Sequence, residues 1–255
     1  MIKRIMGLAH LTLLALLVNA REWREALQIC RSYFSSWQFA RAFLWLKLLY
    51  LVDDPYRVSR RYCKQQGEAD CYQYGETPLT TLHSIMERVM TRFGGNNGEL
   101  LDCHVFELGA GSGFTSIWLN SVLGCRVTAI DQVPAFCRRL AGTARRFGLE
   151  GIEARCEDYL QADLSGATIV YLYGSNLDDP VIRQLADRLA ELPSGTIVIS
   201  VSYSLLSYIP EAFKLSEQFP AQFFWGEAEV FIQQVCAREE VTSQAKTSGE
   251  RIEVC

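Results

Sequence analysis

Three glycines and two acids offer the most legible chemistry in this sequence. The apolar run Cys103–Leu108 enters Gly109-Ala110-Gly111-Ser112-Gly113, and a helical pattern follows at once. Glycines allow a tight turn and let a ligand approach backbone N–H groups at a helix start. A pyrophosphate-binding turn is spaced Gly-x-Gly-x-x-Gly. Here the spacing is Gly-x-Gly-x-Gly, and Glu107 stands two residues before the first glycine. A carboxylate there repels a pyrophosphate and favours an ammonium. A second apolar run, Arg126–Ile130, ends in Asp131, 22 residues after Gly109. At that spacing an acid accepts hydrogen bonds from ribose hydroxyls, although alone it would serve equally well as a helix cap before Pro134. Together, loop and acids suit a ligand with an adenosine at one end and a cationic amino acid at the other.

These residues need a framework to converge. Strand patterns fall at 103–108, 126–130, 168–173 and 196–203, with a weaker one at 152–156, and helical patterns at 114–122, 134–147 and 180–191. Such alternation predicts a doubly wound α/β domain with a mostly parallel sheet. The segment 222–227, followed by Ala228 to Val235, predicts two adjacent strands around a short turn, so the sheet should finish in an antiparallel hairpin. Upstream, a helix is predicted over 80–92, ended by Gly94-Gly95-Asn96-Asn97-Gly98. Asp53-Asp54-Pro55 predicts a turn and a boundary. Residues 56–77 read as polar and irregular, with Arg57, Arg60, Arg61 and Lys64 on a solvated surface. The expected division is a helical N-terminal extension at 1–55, a closing loop with a substrate-side helix at 56–98, the ligand-binding domain at 99–236, and a mobile polar tail at 237–255.

Composition limits the partners. Of 255 residues, 49% are hydrophobic, which excludes a disordered chain, and the net charge of −4 argues against a dedicated nucleic-acid binder. The charge is uneven: residues 1–90 carry 12 Lys/Arg and 8 Asp/Glu, so the acidic excess lies entirely downstream. Within the basic third, the apolar stretch 5–18 after Lys3 and Arg4 has three readings. It is a helical lid, a peripheral membrane contact through residues 2–52, or a cleaved signal. The nine cysteines form no Cys-x-x-Cys pair and no metal-ligand spacing, which points to a reducing cytoplasm and to no metal.

The run Glu-Leu-Gly-Ala-Gly-Ser-Gly at 107–113, with Ile-Asp at 130–131, resembles the class I S-adenosylmethionine-dependent methyltransferases over roughly residues 72–235. The resemblance implies a Rossmann-like sheet of seven strands and S-adenosyl-L-methionine as cofactor, held by Glu107, Gly109, Gly111, Gly113 and Asp131. Tyr74-Gly75-Glu76-Thr77 is similar to the loop that closes over the cosubstrate in disruptor-of-telomeric-silencing-type lysine methyltransferases. That likeness implies cofactor contacts from Tyr74, Glu76 and Thr77. Cys156-Glu157-Asp158-Tyr159-Leu160 is similar to an acid–aromatic pair, implying that Asp158 accepts from the adenine amine and Tyr159 packs on the ring. Phe224-Trp225-Gly226 resembles the aromatic wall of that family's lysine channel. Two features depart from it: Tyr173-Gly174 stands where the family carries an asparagine pair, and the basic nucleosome-binding tails are absent. The mitochondrial ATP synthase c-subunit lysine methyltransferases share the hydrophobic N-terminal segment and the Thr77-Pro78 step.

The expected activity is therefore methyl transfer to a protein lysine amine. A small-molecule or lipid-like acceptor is the alternative, as is a non-catalytic cofactor-binding interaction module. Lysine has an unperturbed pKa of about 10.4 and must arrive neutral. An apolar channel formed by Tyr173 and Trp225 would disfavour its ammonium form. His83 is the one acid–base candidate among the three histidines.

Overall fold

A computed structural model describes residues 23–67, 74–95, 103–174 and 176–237. The N-terminal stretch 5–18 and nearly all of the tail at 237–255 lie outside them. Four helices come first: α1 (23–33), α2 (Trp37–Val52), α3 (Pro55–Gln66) and α4 (Leu79–Phe93). Then follow β1 (His104–Leu108), α5 (Phe114–Ser121), β2 (Arg126–Asp131), α6 (Pro134–Phe147), β3 (Ile152–Cys156), β4 (Ile169–Leu172), α7 (Asp179–Leu189), β5 (Ile197–Val201), β6 (Phe213–Phe223) and β7 (Gly226–Val235). The seven strands make one sheet in the order β3-β2-β1-β4-β5-β7-β6, β7 running antiparallel to both neighbours. It is the Rossmann-like methyltransferase fold with a helical N-terminal extension.

The central parallel strands β1, β2, β4 and β5 are short and mostly buried on both faces, as a sheet covered by helices on both faces requires, whereas the edge strand β3 is only partly buried. Their pleat divides the core. Val105, Val127, Ala129, Ile169 and Ile199 face one apolar cluster, completed by α1, α2, α4, α5 and α6. Phe106, Leu108, Ile130, Val170 and Val198 face the other, completed by α7. Glu107 shares the pleat parity of Val105 and so points toward the α5 side. The strand order reverses between β1 and β4, and the crevice outside their carboxyl ends is where such sheets bind ligands.

Two regions differ from expectation. Residues 55–66 form α3 rather than an irregular segment. Asp54 caps it by accepting from the Arg57 amide (3.2 Å), Pro55 occupies its first turn, and Gly67 closes it in a left-handed conformation. Asp-Pro is a helix start here, not only a turn. Arg57, Arg60, Arg61 and Lys64 do form an exposed face. The terminal hairpin is also longer than expected: β6 begins at Phe213, and the turn falls at Phe224–Trp225. Pro220 is tolerated because β6 is the sheet edge, and a register shift between Leu215 and Glu217 interrupts its alternation.

The N-terminal helices are tied to the sheet by specific bonds. Glu25 of α1 accepts from the amide of Thr80 (2.9 Å) and from its hydroxyl, supplying the cap that Pro78 cannot give α4. Arg139 of α6 bonds the Asp53 carboxylate (2.9 Å) and lies over the Tyr50 ring (4.6 Å). Tyr50 in turn donates to the carbonyl of Ser112 in the glycine loop (3.3 Å). Leu46 is fully buried between α2 and this core. Leu46→Ala should cost about 2–5 kcal/mol in urea denaturation and keep a single transition. A separate early transition for the N-terminal helices would contradict the shared core.

Candidate active site

The glycine loop owes its shape to one carbonyl and one carboxylate. The amides of Gly109 and Ala110 both donate to Ile130 O (2.9 and 3.0 Å), turning the chain sharply off β1. Asp131 then accepts from the Gly111 amide at Oδ2 (2.8 Å) and from the Val133 amide at Oδ1 (2.7 Å). All three loop glycines have positive φ, between 53° and 84°. Gly111 faces a second constraint: a Cβ there would lie 2.8 Å from the Tyr74 ring. A Cβ on Gly109 would meet nothing within 4 Å, because that position faces open space in the crevice.

The crevice holds a cavity of about 570 Å³, within the range of small-molecule and cofactor sites. Tyr74, Glu76, Gly109, Gly111, Asp131, Tyr159, Tyr173 and Trp225 all line it, so most of the residues singled out from the sequence converge. Thr77 and Glu107 line a smaller adjoining cavity beneath the loop. Gly113 and Asp158 line neither. Gly113 caps α5 against Leu140, and Asp158 accepts from the Leu160 amide (2.9 Å) to close its own turn. Tyr159 next to it does reach the cavity, its carbonyl held by Arg188 (2.9 Å).

Burial sets the acids. Glu107 is enclosed and accepts from the hydroxyls of Thr115 and Ser116 on the first turn of α5. Loss of hydration pushes its pKa up to about 7 against those two bonds. Burial likewise raises Asp131 to about 6, opposed by the amides of Val133 and Gly111.

The far wall is aromatic. The indole N–H of Trp225 donates to the Tyr173 hydroxyl (2.6 Å), and the Phe223 ring stacks on both Tyr173 (5.4 Å) and Trp225 (5.8 Å). The closing segment lies across both ends of the cavity. Tyr74 covers Gly111, a Cβ on Gly75 would overlap the Tyr173 ring, and Thr77 bonds the Tyr171 hydroxyl (2.6 Å). The Tyr74 hydroxyl is buried near Ser112 with no partner at hydrogen-bonding geometry.

Sequence reasoning missed part of the lining. Tyr56, Ser59 and Tyr62 of α3 and Phe136 of α6 complete the near wall. The spacing of Tyr56, Ser59 and Tyr62 by three, after an Asp-Pro start, is a helical signal. His83 is not part of the site. Its Nδ1 pairs with the Tyr33 hydroxyl (2.7 Å) and its ring packs near Trp118 (5.6 Å), inside the α1–α4–α5 contact.

No protein-family model matches the chain, and no curated protein matches it. Solved structures do. An RNA methyltransferase from Salinibacter ruber, in complex with S-adenosyl-L-homocysteine, is 22% identical with a TM-score of 0.47, over 61% of this chain and 92% of that one. TrmN from Thermus thermophilus is 19% identical with a TM-score of 0.48, over 60% of this chain and 48% of its own. A SAM-dependent methyltransferase from Aquifex aeolicus is 15% identical with a TM-score of 0.46, over 59% and 89%. These likenesses concern the fold alone.

The carboxylate at Glu107 has a consequence for stability. Its pKa is raised on folding, so the folded protein binds the extra proton between about pH 4.5 and pH 7. Stability from this group should fall as pH rises through that window, by on the order of 3 kcal/mol. Glu107→Gln should flatten the dependence and raise the melting temperature above pH 7; an unchanged pH profile would refute the buried acid.

Proposed function

We propose that this protein transfers a methyl group from S-adenosyl-L-methionine to an amine, and that the acceptor is a protein lysine. The observation that carries the reading is one cavity, at the carboxyl ends of β1, β2 and β4, that joins the Gly109–Asp131 cradle to the Tyr173–Trp225 corner. When bound, S-adenosyl-L-methionine supplies a methyl group on a sulfonium, an already activated electrophile.

The chain's own task is to bind, align and exclude water. Asp131 uses one lone pair per oxygen on backbone amides and retains acceptor capacity for ribose hydroxyls. Tyr159, Val133 and Phe136 offer the flat apolar wall an adenine needs. Glu107 and Glu76 border the smaller cavity, where an ammonium would find two carboxylates. A cation beside Glu107 favours its ionised form, so binding near pH 7 should release a proton to solvent. On the acceptor side, Tyr173, Phe223 and Trp225 form a stacked aromatic corner, with the Trp225 ring half-exposed, that would guide an amine toward the methyl group. A lysine that had shed its ammonium proton to solvent would use its nitrogen lone pair to form the N–C bond as the methyl's bond to sulfur broke, the electron pair staying on sulfur as a neutral thioether. The new ammonium would release its proton to solvent.

An amphiphilic small-molecule acceptor is the second reading. It is favoured by Tyr56, a half-exposed aromatic side chain that lines the cavity.

Calorimetry with S-adenosyl-L-methionine tests the cofactor reading. Asp131→Ala should weaken binding about 10- to 100-fold, with a melting curve as the folding control; unchanged affinity would reject the assignment. Transfer of label from tritiated S-adenosyl-L-methionine into lysate tests the acceptor. Label on protein lysine supports the main reading, and label confined to lipid or small molecules supports the second. The Tyr173 hydroxyl, which accepts from Trp225, would orient the incoming amine, so Tyr173→Phe should lower turnover about tenfold or more with cofactor affinity preserved. A turnover equal to wild type would remove the hydroxyl from the mechanism.

A further inference from the structure

Helix α2 is apolar on both sides. One side packs Phe39, Phe43, Leu46 and Tyr50 into the core. The other presents Trp37, Leu44, Leu48, Leu51 and Val52, each between 55 and 85% exposed. A surface helix in water normally has a polar outer face, and one that is apolar all round has something covering it. Among the described residues, nothing covers this stripe.

The surroundings say what would fit. Residues 23–67 carry eight Lys/Arg and three Asp/Glu, and α6 adds four arginines and no acid. Of the three acids, Glu25 caps α4, Asp53 pairs with Arg61 and Arg139, and Asp54 pairs with Arg57. Alongside the stripe runs a groove of about 870 Å³, bounded by α2 at Trp45 and Leu49 and lined by Arg61, Arg138, Arg139 and Arg146, with Asp53 between Arg61 and Arg139, so the groove keeps an excess of positive charge. Arg146 lies over the Trp45 ring (4.2 Å), and Arg41 sits between the rings of Trp37 (5.8 Å) and Phe147 (5.3 Å), so the uncovered part of the stripe is the run Leu44, Leu48, Leu51 and Val52.

We propose that the outer face of α2, with the arginine groove between α2, α3 and α6, docks the protein on an anionic phospholipid surface. The leucines and Trp37 would enter the acyl boundary while the guanidinium groups meet lipid phosphates. A second copy of the chain fits less well, because apposing two such faces would bring like charges together. The helix lies on the bilayer rather than across it. At 16 residues it is about 24 Å long, and no helix among the described residues is long and apolar enough to cross a membrane. Tyr56, four residues beyond Val52 and itself half-exposed, also lines the active-site cavity.

Flotation of the full chain, without cofactor, on phosphatidylcholine vesicles and on equimolar phosphatidylcholine–phosphatidylglycerol vesicles tests this independently of any methyl transfer. The protein should float with the anionic vesicles only, and less so as salt rises. Leu44→Gln with Leu48→Gln, and separately Arg138→Glu with Arg146→Glu, should each reduce binding by about tenfold or more. All four side chains are exposed. Quenching of tryptophan emission by brominated lipid in the unsubstituted protein reports insertion without any variant. Equal binding to both vesicle types, or binding retained by both pairs, would overturn the proposal. So would a protein that ignores vesicles but sediments as a dimer dissociated by Leu44→Gln/Leu48→Gln.

Discussion

The carboxylate of Asp131 receives the amides of Gly111 and Val133, and the site is arranged around that pair of bonds. They join the end of β2 to the loop leaving β1, 20 residues upstream, and to the start of α6, two residues on. Neighbouring contacts reinforce the same point. The Cys137 thiol donates to the Asp131 carbonyl (3.2 Å), and Tyr50 reaches the loop at Ser112 from α2. Keeping a carboxylate half-buried costs free energy, which its raised pKa records. Two charge-assisted hydrogen bonds offset part of that cost. The strand order forces a crevice between β1 and β4; Asp131 decides how the loop over it is shaped.

The cavity has two chemically distinct ends, and one short segment spans them. At one end lie carboxylates and backbone amides; at the other lies the stacked set Tyr173, Phe223 and Trp225. Tyr74 rests on a glycine of the first end, Gly75 fits under Tyr173 of the second, and Thr77 fastens the segment to β4. Side-chain volume is therefore restricted at Gly75 and Gly111 by different aromatic rings. The polar end supplies charge and donors, the aromatic end supplies ring surface, and the segment crossing both joins them in one cavity.

Much of this was legible in the sequence because the central elements obey local rules. The apolar run 126–130 flanked by Cys125 and Asp131 is a strand within a residue of its observed bounds, and Pro134 and Gly148 delimit α6 as start and stop signals. The site residues on β1, β2 and their loops were legible for the same reason: strand ends place them. Two elements were obscured by mixed patterns. The buried face of α3 is Val58, Ser59 and Cys63, too polar to show a hydrophobic period, and its cap is an Asp-Pro pair that also reads as a turn. The alternation Phe213, Leu215, Phe219, Phe223 marks β6, but Pro220 and the shifted register at Glu217 break it. Asp158 and His83 show the complementary difficulty: a residue type suited to chemistry has its bonds taken by its own turn or by the core, and only three-dimensional packing reveals it.

The anchoring of Glu107 reaches beyond its charge. Its two carboxylate oxygens hold Thr115 and Ser116, locking the end of β1 to the first turn of α5, while Asp131 and Ile130 hold the stretch between. A glycine-rich segment is the part of a chain with the most conformational freedom to lose. Here that freedom is lost when the protein folds, not when a ligand arrives. The intrinsically floppiest five residues in the crevice are thus presented as a rigid surface, and association with them carries little ordering penalty of its own.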